Sequence, residues 1–240
     1  MKKPLITILL SLAFGLAITA PANAGFNEGV AAYEAANYAM AFREFQILAK
    51  KGDAAAQSNL GLMYASGQGV AQSYKEAVNW YRKAAIQGDA VAQFNLGVMY
   101  TNGQGVAQDN KEAVNWYRKA AMQGNANAQS SLLLIYLING DGMAQYNKEA
   151  ANWDRKAAMQ GNADAQFKLG TRYHKGDGVA QDYKEALNWY RKSAMQENAD
   201  AQFNLGVMYH KGDGVAQDYK EAMNWFRTAI LNSKSSLNEH

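Results

Sequence analysis

The chain has 240 residues, two prolines, no cysteine and a formal net charge of +3, with 48% hydrophobic and 19% charged residues. The absence of cysteine excludes disulfides and lipid attachment through a thiol, and the near balance of charge lacks the basic footprint of a nucleic-acid binder. Abundant alanine with 14 tyrosines and 5 tryptophans suggests helices packed through small residues around aromatic anchors.

The first residues, MKKPLITILLSLAFGLAITAPANA, set two lysines before an uncharged apolar run from Leu5 to Ala20 and then the triplet Ala22, Asn23, Ala24. That order predicts a secretory signal peptide over residues 1–24, cut after Ala24. The run is too short and too weakly anchored for a membrane span, and no later stretch approaches the roughly 20 apolar residues a span needs. A periplasmic or secreted protein is expected, with an inner-membrane signal anchor as the alternative. Of the 24 basic residues the leader takes Lys2 and Lys3, so 22 face 21 acidic ones and the mature net charge is +1.

Residues 25–51 read as a helical hairpin whose pattern differs from that of the remaining chain, as an N-terminal cap should. From Gly52 the chain repeats itself. Units open at Gly52, Gly88, Gly124, Gly161 and Glu197, giving repeats over 52–87, 88–123, 124–160, 161–196 and 197–232. All five tryptophans fall at one repeat position, Trp80, Trp116, Trp153, Trp189 and Trp225, which is how a structural anchor is distributed. Ala92, Leu96, Gly97 and Tyr100 in one half of a unit, and Ala113, Trp116, Tyr117 and Ala120 in the other, have helical spacing, so each unit is predicted to be a helix pair.

The helix ends are marked chemically. Asp109 with Glu112, Asp182 with Glu185, Asp218 with Glu221 and Ser73 with Glu76 fit a capping box at the second helix. Gly88, Gly124 and Gly161 suit the left-handed stop after it, and Asp53, Asp89, Asn125, Asn162 or Asn198 then caps the next first helix. Such hairpins bury their faces only by stacking.

The third unit departs most. SSLLLIYLINGDG puts Leu133 where the others have glycine, adds one residue before the turn, loses the capping residue at Tyr146 and carries Asp154 in place of tyrosine. Local rules broken together mark strain or function. Leu133, Leu134, Leu137 and Ile138 are expected to form an apolar patch for a partner or a second copy, or else to reflect drift in a tolerant array. The final residues, 233–240, read as a polar, frayed tail.

Chemistry is not evident. No serine of the mature chain lies three residues before a lysine, so the S-x-x-K nucleophile is missing, and there is no H-E-x-x-H. His174 and His210 stand one repeat apart, too far to share a zinc ion. The G-x-G turns lack the G-K-[ST] continuation of a phosphate loop and are read as hairpin turns. No catalytic residue, cofactor site or metal site is assigned.

The recurring A-x-A-Q-x-x-L-G-x-x-Y, then G-x-G-V, then K-E-A-x-x-W-Y-R-K-A-A, resembles the Sel-one-like repeat family, relatives of the tetratricopeptide repeats. The resemblance spans five units and implies an all-α, right-handed superhelical solenoid of antiparallel helix pairs, used chiefly as a scaffold for protein–protein contacts. It implies no enzyme, although some cysteine-rich members are associated with β-lactam binding or hydrolysis. Exported bacterial members are linked to envelope complexes or contact with host cells.

By the same resemblance the first helix of each pair lines a concave groove. The positions this selects include Phe94, Val98, Leu134, Leu137, Ile138, Phe167, His174, Lys175, Phe203, His210 and Lys211. The phenylalanines would anchor a protein or peptide while Lys175 and Lys211 hold its carboxylates; equally, the rings would be core and the His-Lys pairs solvated helix ends. A monomer is expected, with a dimer through the third repeat as the alternative.

Overall fold

A computed structural model of the chain describes residues 24–138 and 142–237. The expected signal peptide, apart from Ala24, and the turn of the third unit at 139–141 lie outside the described residues. Two compact units divide the chain, Met1–Gln129 and Ser130–His240. Among the described residues there are twelve α-helices and no strand.

The first unit holds α1 (Ala24–Glu34), α2 (Tyr38–Lys50), α3 (Ala54–Ser66), α4 (Tyr74–Ile86), α5 (Ala90–Asn102), α6 (Asn110–Ala121) and the opening of α7 (Ala126–Ile138). The second holds the rest of α7, then α8 (Gly142–Met159), α9 (Ala163–Lys175), α10 (Tyr183–Ala194), α11 (Ala199–Lys211) and α12 (Tyr219–Leu237). In the first unit each of α1 to α5 packs on the helix that follows it, and in the second each of α8 to α11 does the same.

The first helix of every repeat starts on the side chain the sequence marks. Asp53, Asp89, Asn125, Asn162 and Asn198 each accept from the N–H three residues on, at 2.6 to 2.9 Å. At the second helices only half of the expected box is used. Asp109, Asp182 and Asp218 accept from two first-turn N–H groups each. Their own N–H groups, however, donate to the carbonyls of Tyr100, Tyr173 and Tyr209 in the partner helix. The cap therefore closes the hairpin as well as starting the helix.

A buried polar rung joins each repeat to the one before. In the second unit Gln166 Nε2 donates to Ala158 O at 3.1 Å and Gln202 Nε2 to Ala194 O at 3.0 Å. Gln196, just past α10, and Asn232, within α12, in turn donate to Gln166 Oε1 and Gln202 Oε1. Gln57 and Gln93 do the same in the first unit with Ala49 and Ala85. A buried amide is tolerated because both its ends are satisfied.

Around these rungs the packing is aromatic against glycine. The rings of Tyr81, Tyr117, Tyr190 and Phe226 cross the backbones of Gly61, Gly97, Gly170 and Gly206, where an added β-carbon would come within 2.5 to 2.7 Å of the ring. The third repeat inverts this pair, with Leu133 at the glycine position and Asp154 at the ring position. Asp154 Oδ2 instead meets Arg172 Nε of the next repeat at 2.5 Å, both side chains being less than a fifth exposed. Arg172 itself stands where Met63, Met99 and Met208 are buried in other repeats.

Loss of the cap at Tyr146 also has a visible effect. With no acceptor to end it, α8 extends backwards to Gly142 and reaches 18 residues, against 12 in α10. Tyr146 packs edge-on against Trp153, with ring centroids 5.8 Å apart.

The last helix departs from expectation too. α12 does not stop at Asn232 before a frayed tail but runs to Leu237. Ser233 stands where earlier repeats place a left-handed glycine, such as Gly161 at φ +92°, so the stop is missing.

Candidate protein-binding face

In the second unit two first helices carry side chains that match at three of four positions on one side. α9 presents Phe167, Thr171, His174 and Lys175, and α11 presents Phe203, Val207, His210 and Lys211, residues one and two helical turns apart. The C-terminal turn of α9 approaches the loop after α11, where His174 Nε2 lies 4.0 Å from Asp213 Oδ2.

The phenylalanines have a packing role and, in one case, a free face. Phe94, Phe167 and Phe203 lean on Tyr117, Tyr190 and Phe226, the rings that fill the glycine notches, with centroids 5.3 to 5.8 Å apart. Phe94 and Phe167 are half-buried, whereas Phe203 is 55% exposed. Position alone does not separate the two situations.

Each histidine is fixed against the tyrosine that opens the second helix, His174 on Tyr183 at 5.2 Å and His210 on Tyr219 at 5.3 Å between centroids. The carbonyls of His174 and His210 accept from Gln181 and Gln217 at 2.8 and 2.7 Å. Lys175 and Lys211 are exposed at helix C-termini, where the backbone dipole favours a cation.

The glycines that follow serve structure. Gly176 and Gly212 end α9 and α11 in the left-handed conformation, and the N–H groups of Gly176 and Asp177 both donate to Arg172 O. The second glycine of each turn is seated on the preceding repeat, Gly178 on the carbonyl of Asn147 and Gly214 on that of Tyr183. A side chain at either position would collide with backbone, so these turns are docking points between repeats.

Two of the expected groove regions differ from the rest. Val98 is 2% exposed and belongs to the core, whereas Val207 at the same repeat position is not buried; Val98 leaves the candidate set. Leu134, Leu137 and Ile138 are 40%, 54% and 56% exposed, at i, i+3 and i+4 on α7. They form an apolar strip of their own.

Another recurrence lies outside the positions selected from sequence. Met159, Met195 and Leu231 occupy one repeat position in the second unit and are 75%, 77% and 68% exposed. Beside Met195, Lys192 Nζ sits 4.1 Å above the ring of Trp189, and Glu185, Asn188 and Arg191 complete a shallow depression there. For the two methionines the signal was available in the unit ends AAMQ at 157–160 and SAMQ at 193–196.

Among the described residues no helix is long and apolar enough to cross a membrane, and no group of three or more histidine or acidic side chains is placed to hold a metal ion. Burial, not a neighbouring charge, is the main cause of the raised phenols of Tyr81 and Tyr190, both of them core residues.

The Sel1 repeat family matches five stretches, residues 54–89, 90–125, 136–162, 163–198 and 199–233. The chain belongs to the Sel1 repeat family. A Sel1 repeat protein from Oxalobacter formigenes is 32% identical over 86% of this chain and 85% of its own, with a TM-score of 0.56. The protein c5321, a protective antigen present in uropathogenic Escherichia coli strains and displaying the same repeat fold, is 34% identical over 89% of this chain, with a TM-score of 0.58. The match covers 46% of c5321, so this chain spans about half of that relative. No curated protein matches the chain. Repeats of this family form a helical scaffold commonly used for contacts between proteins, and the fold seen in both units is of that kind.

Proposed function

We propose that this Sel1 repeat protein is a non-catalytic scaffold of the bacterial periplasm or secreted space, which holds a partner protein or an extended acidic peptide against the first-helix face of its last two repeats. The observation that carries the proposal is the duplicated Phe-His-Lys face of α9 and α11, in which Phe203 offers a ring 55% exposed and Lys175 and Lys211 stand free in solvent. Phe167 and Phe203 supply apolar contact, His174 and His210 add edges held by Tyr183 and Tyr219, and the two lysines pair with carboxylates. Helices already folded reduce the ordering cost of binding. Exposed lysines act through water, so the interaction should weaken as salt rises.

The test is affinity capture from a periplasmic extract with the mature chain and with Phe203→Ala/Lys211→Ala. Loss of a specific partner from the folded double variant supports the proposal; unchanged capture defeats it. A hydrolase or binding factor acting on β-lactams or peptidoglycan is the competing class, and covalent labelling by a fluorescent penicillin would favour it.

The likeness to a protective antigen favours a second reading, in which the chain is displayed outside the cell and contacts host molecules. Protease shaving of intact cells distinguishes it, because a periplasmic protein survives and a displayed one is lost.

A further inference from the structure

The chain has no cysteine, so methionine thioethers are its only sulfur. The fold sorts the described methionines by access to water. Met63, Met99 and Met208 are buried in first helices, at one repeat position. Met159 and Met195, at the ends of two second helices, are 75% and 77% exposed, more than any other large hydrophobic side chain described. Met40, Met122, Met143 and Met223 fall between, at 41% to 54%.

Packing does not call for sulfur at the two exposed sites. Ile86 and Leu231 stand at the same repeat position and are 72% and 68% exposed, so a hydrocarbon side chain serves the fold there equally well. What the thioether adds is chemistry. Met159 is the last residue of α8, and Met195 is the C-cap of α10, its N–H donating to Arg191 O and Ser193 O. Met195 also lines the depression that holds Trp189, Arg191 and Lys192, with Lys192 Nζ 4.1 Å above the indole ring. An oxygen added to this sulfur would stand in water beside two cationic hydrogen-bond donors. The same oxygen on Met63, Met99 or Met208 would be a polar acceptor inside the core, where it costs stability.

We propose that Met159 and Met195 are reversible oxidation sites that take up one oxygen each from a peroxide while the fold stays intact. A sulfur lone pair attacks one peroxide oxygen, the O–O bond breaks, and the second oxygen leaves as water with both protons. Sulfur gives up two electrons and the peroxide gains them. The sulfoxide is returned to the thioether by a methionine sulfoxide reductase, whose dithiol becomes a disulfide as the oxygen departs as water. Exposure at a helix end gives both the oxidant and the reductase access without unfolding, and the change replaces an apolar tip by a polar one on the second-helix side.

The test is a graded hydrogen peroxide treatment of the folded mature chain, read by peptide mass spectrometry. Met159 and Met195 should gain oxygen at least about tenfold faster than Met63, Met99 and Met208, which react only when the structure opens. In urea the order should vanish. The melting temperature should be unchanged when two oxygens have been added, and a reductase pair acting on both sulfoxide epimers should remove them from the folded protein. Met159→Leu/Met195→Ile, built on the residues other repeats carry, should lose the fast phase. Core methionines that keep pace in the folded chain, a melting temperature that falls with the first two oxygens, sulfoxides that the reductases leave in place, or a fast phase that survives the double variant would each overturn the proposal.

Discussion

The ring of Tyr190 lies across the backbone of Gly170, so close that a β-carbon on the glycine would stand 2.7 Å from Tyr190 Cδ1. Gly170 is helical, so its value is lateral space and not backbone freedom. Gly170→Ala should destabilise the chain by about 1 to 3 kcal/mol, the usual cost of forcing one extra carbon into a packed core. Combined with Tyr190→Leu, the cost should fall below the sum of the two single changes, since residues in contact do not act independently. Urea unfolding of the four proteins measures the coupling.

The third repeat tests the same contact in reverse. If Leu133, Asp154 and Arg172 are a compensated set, Leu133→Gly, Asp154→Tyr and Arg172→Met each lower stability, Asp154→Tyr most, because it leaves Arg172 partly buried without its carboxylate. The triple variant, which restores the pattern of the neighbouring repeats, should recover at least about 1 kcal/mol relative to the sum of the singles. Additive losses would make the three departures unrelated.

Glu197 holds φ at +64°, at the junction where Gly88, Gly124 and Gly161 stand elsewhere. A side chain in the left-handed region costs about 1 to 2 kcal/mol. Nothing lies within 4 Å of a β-carbon placed on those glycines, so the cost at Glu197 is conformational and not a clash. Glu197→Gly should therefore raise stability by about 1 kcal/mol, read as a higher midpoint in urea. A lower midpoint would mean the side chain has a contact worth more than the strain.

Burial lifts the phenols of Tyr81 and Tyr190 above their ordinary value. A group whose folded value is raised gives stability that is complete below the unfolded value, about 10 for tyrosine, and is lost as pH climbs beyond it. The melting temperature should hold to near that pH and then fall, and Tyr190→Phe should make the fall shallower. An alkaline profile unchanged by Tyr190→Phe would leave that phenol without a part in it.

Helix starts and stops were legible because each depends on one or two side chains next to the backbone they serve, as with Asn198 or Gly161. The reciprocal half of the capping box was not, since Tyr173 takes the N–H of Asp182 from a different helix. The glutamine of A-x-A-Q recurs in every unit, yet its partners, Ala158 and Ala194 for example, lie eight residues away across a helix junction. The positions of Phe203 and Lys211 were selected by the family resemblance, whereas the burial of Val98 depends on packing that neither the resemblance nor periodicity encodes. Leu133 and Asp154 were both visible as departures, but their relation is three-dimensional.

Every other junction described in the second unit uses interchangeable parts: a glutamine, an alanine carbonyl, a seated glycine. A chain so assembled is easily lengthened or shortened by copying whole units, and its members are hard to tell apart during folding. The Asp154–Arg172 pair breaks that equivalence. At the seam between the third and fourth repeats, a neighbour taken from elsewhere in the array would leave a partly buried charge without its partner, so this seam distinguishes its own neighbour from the others.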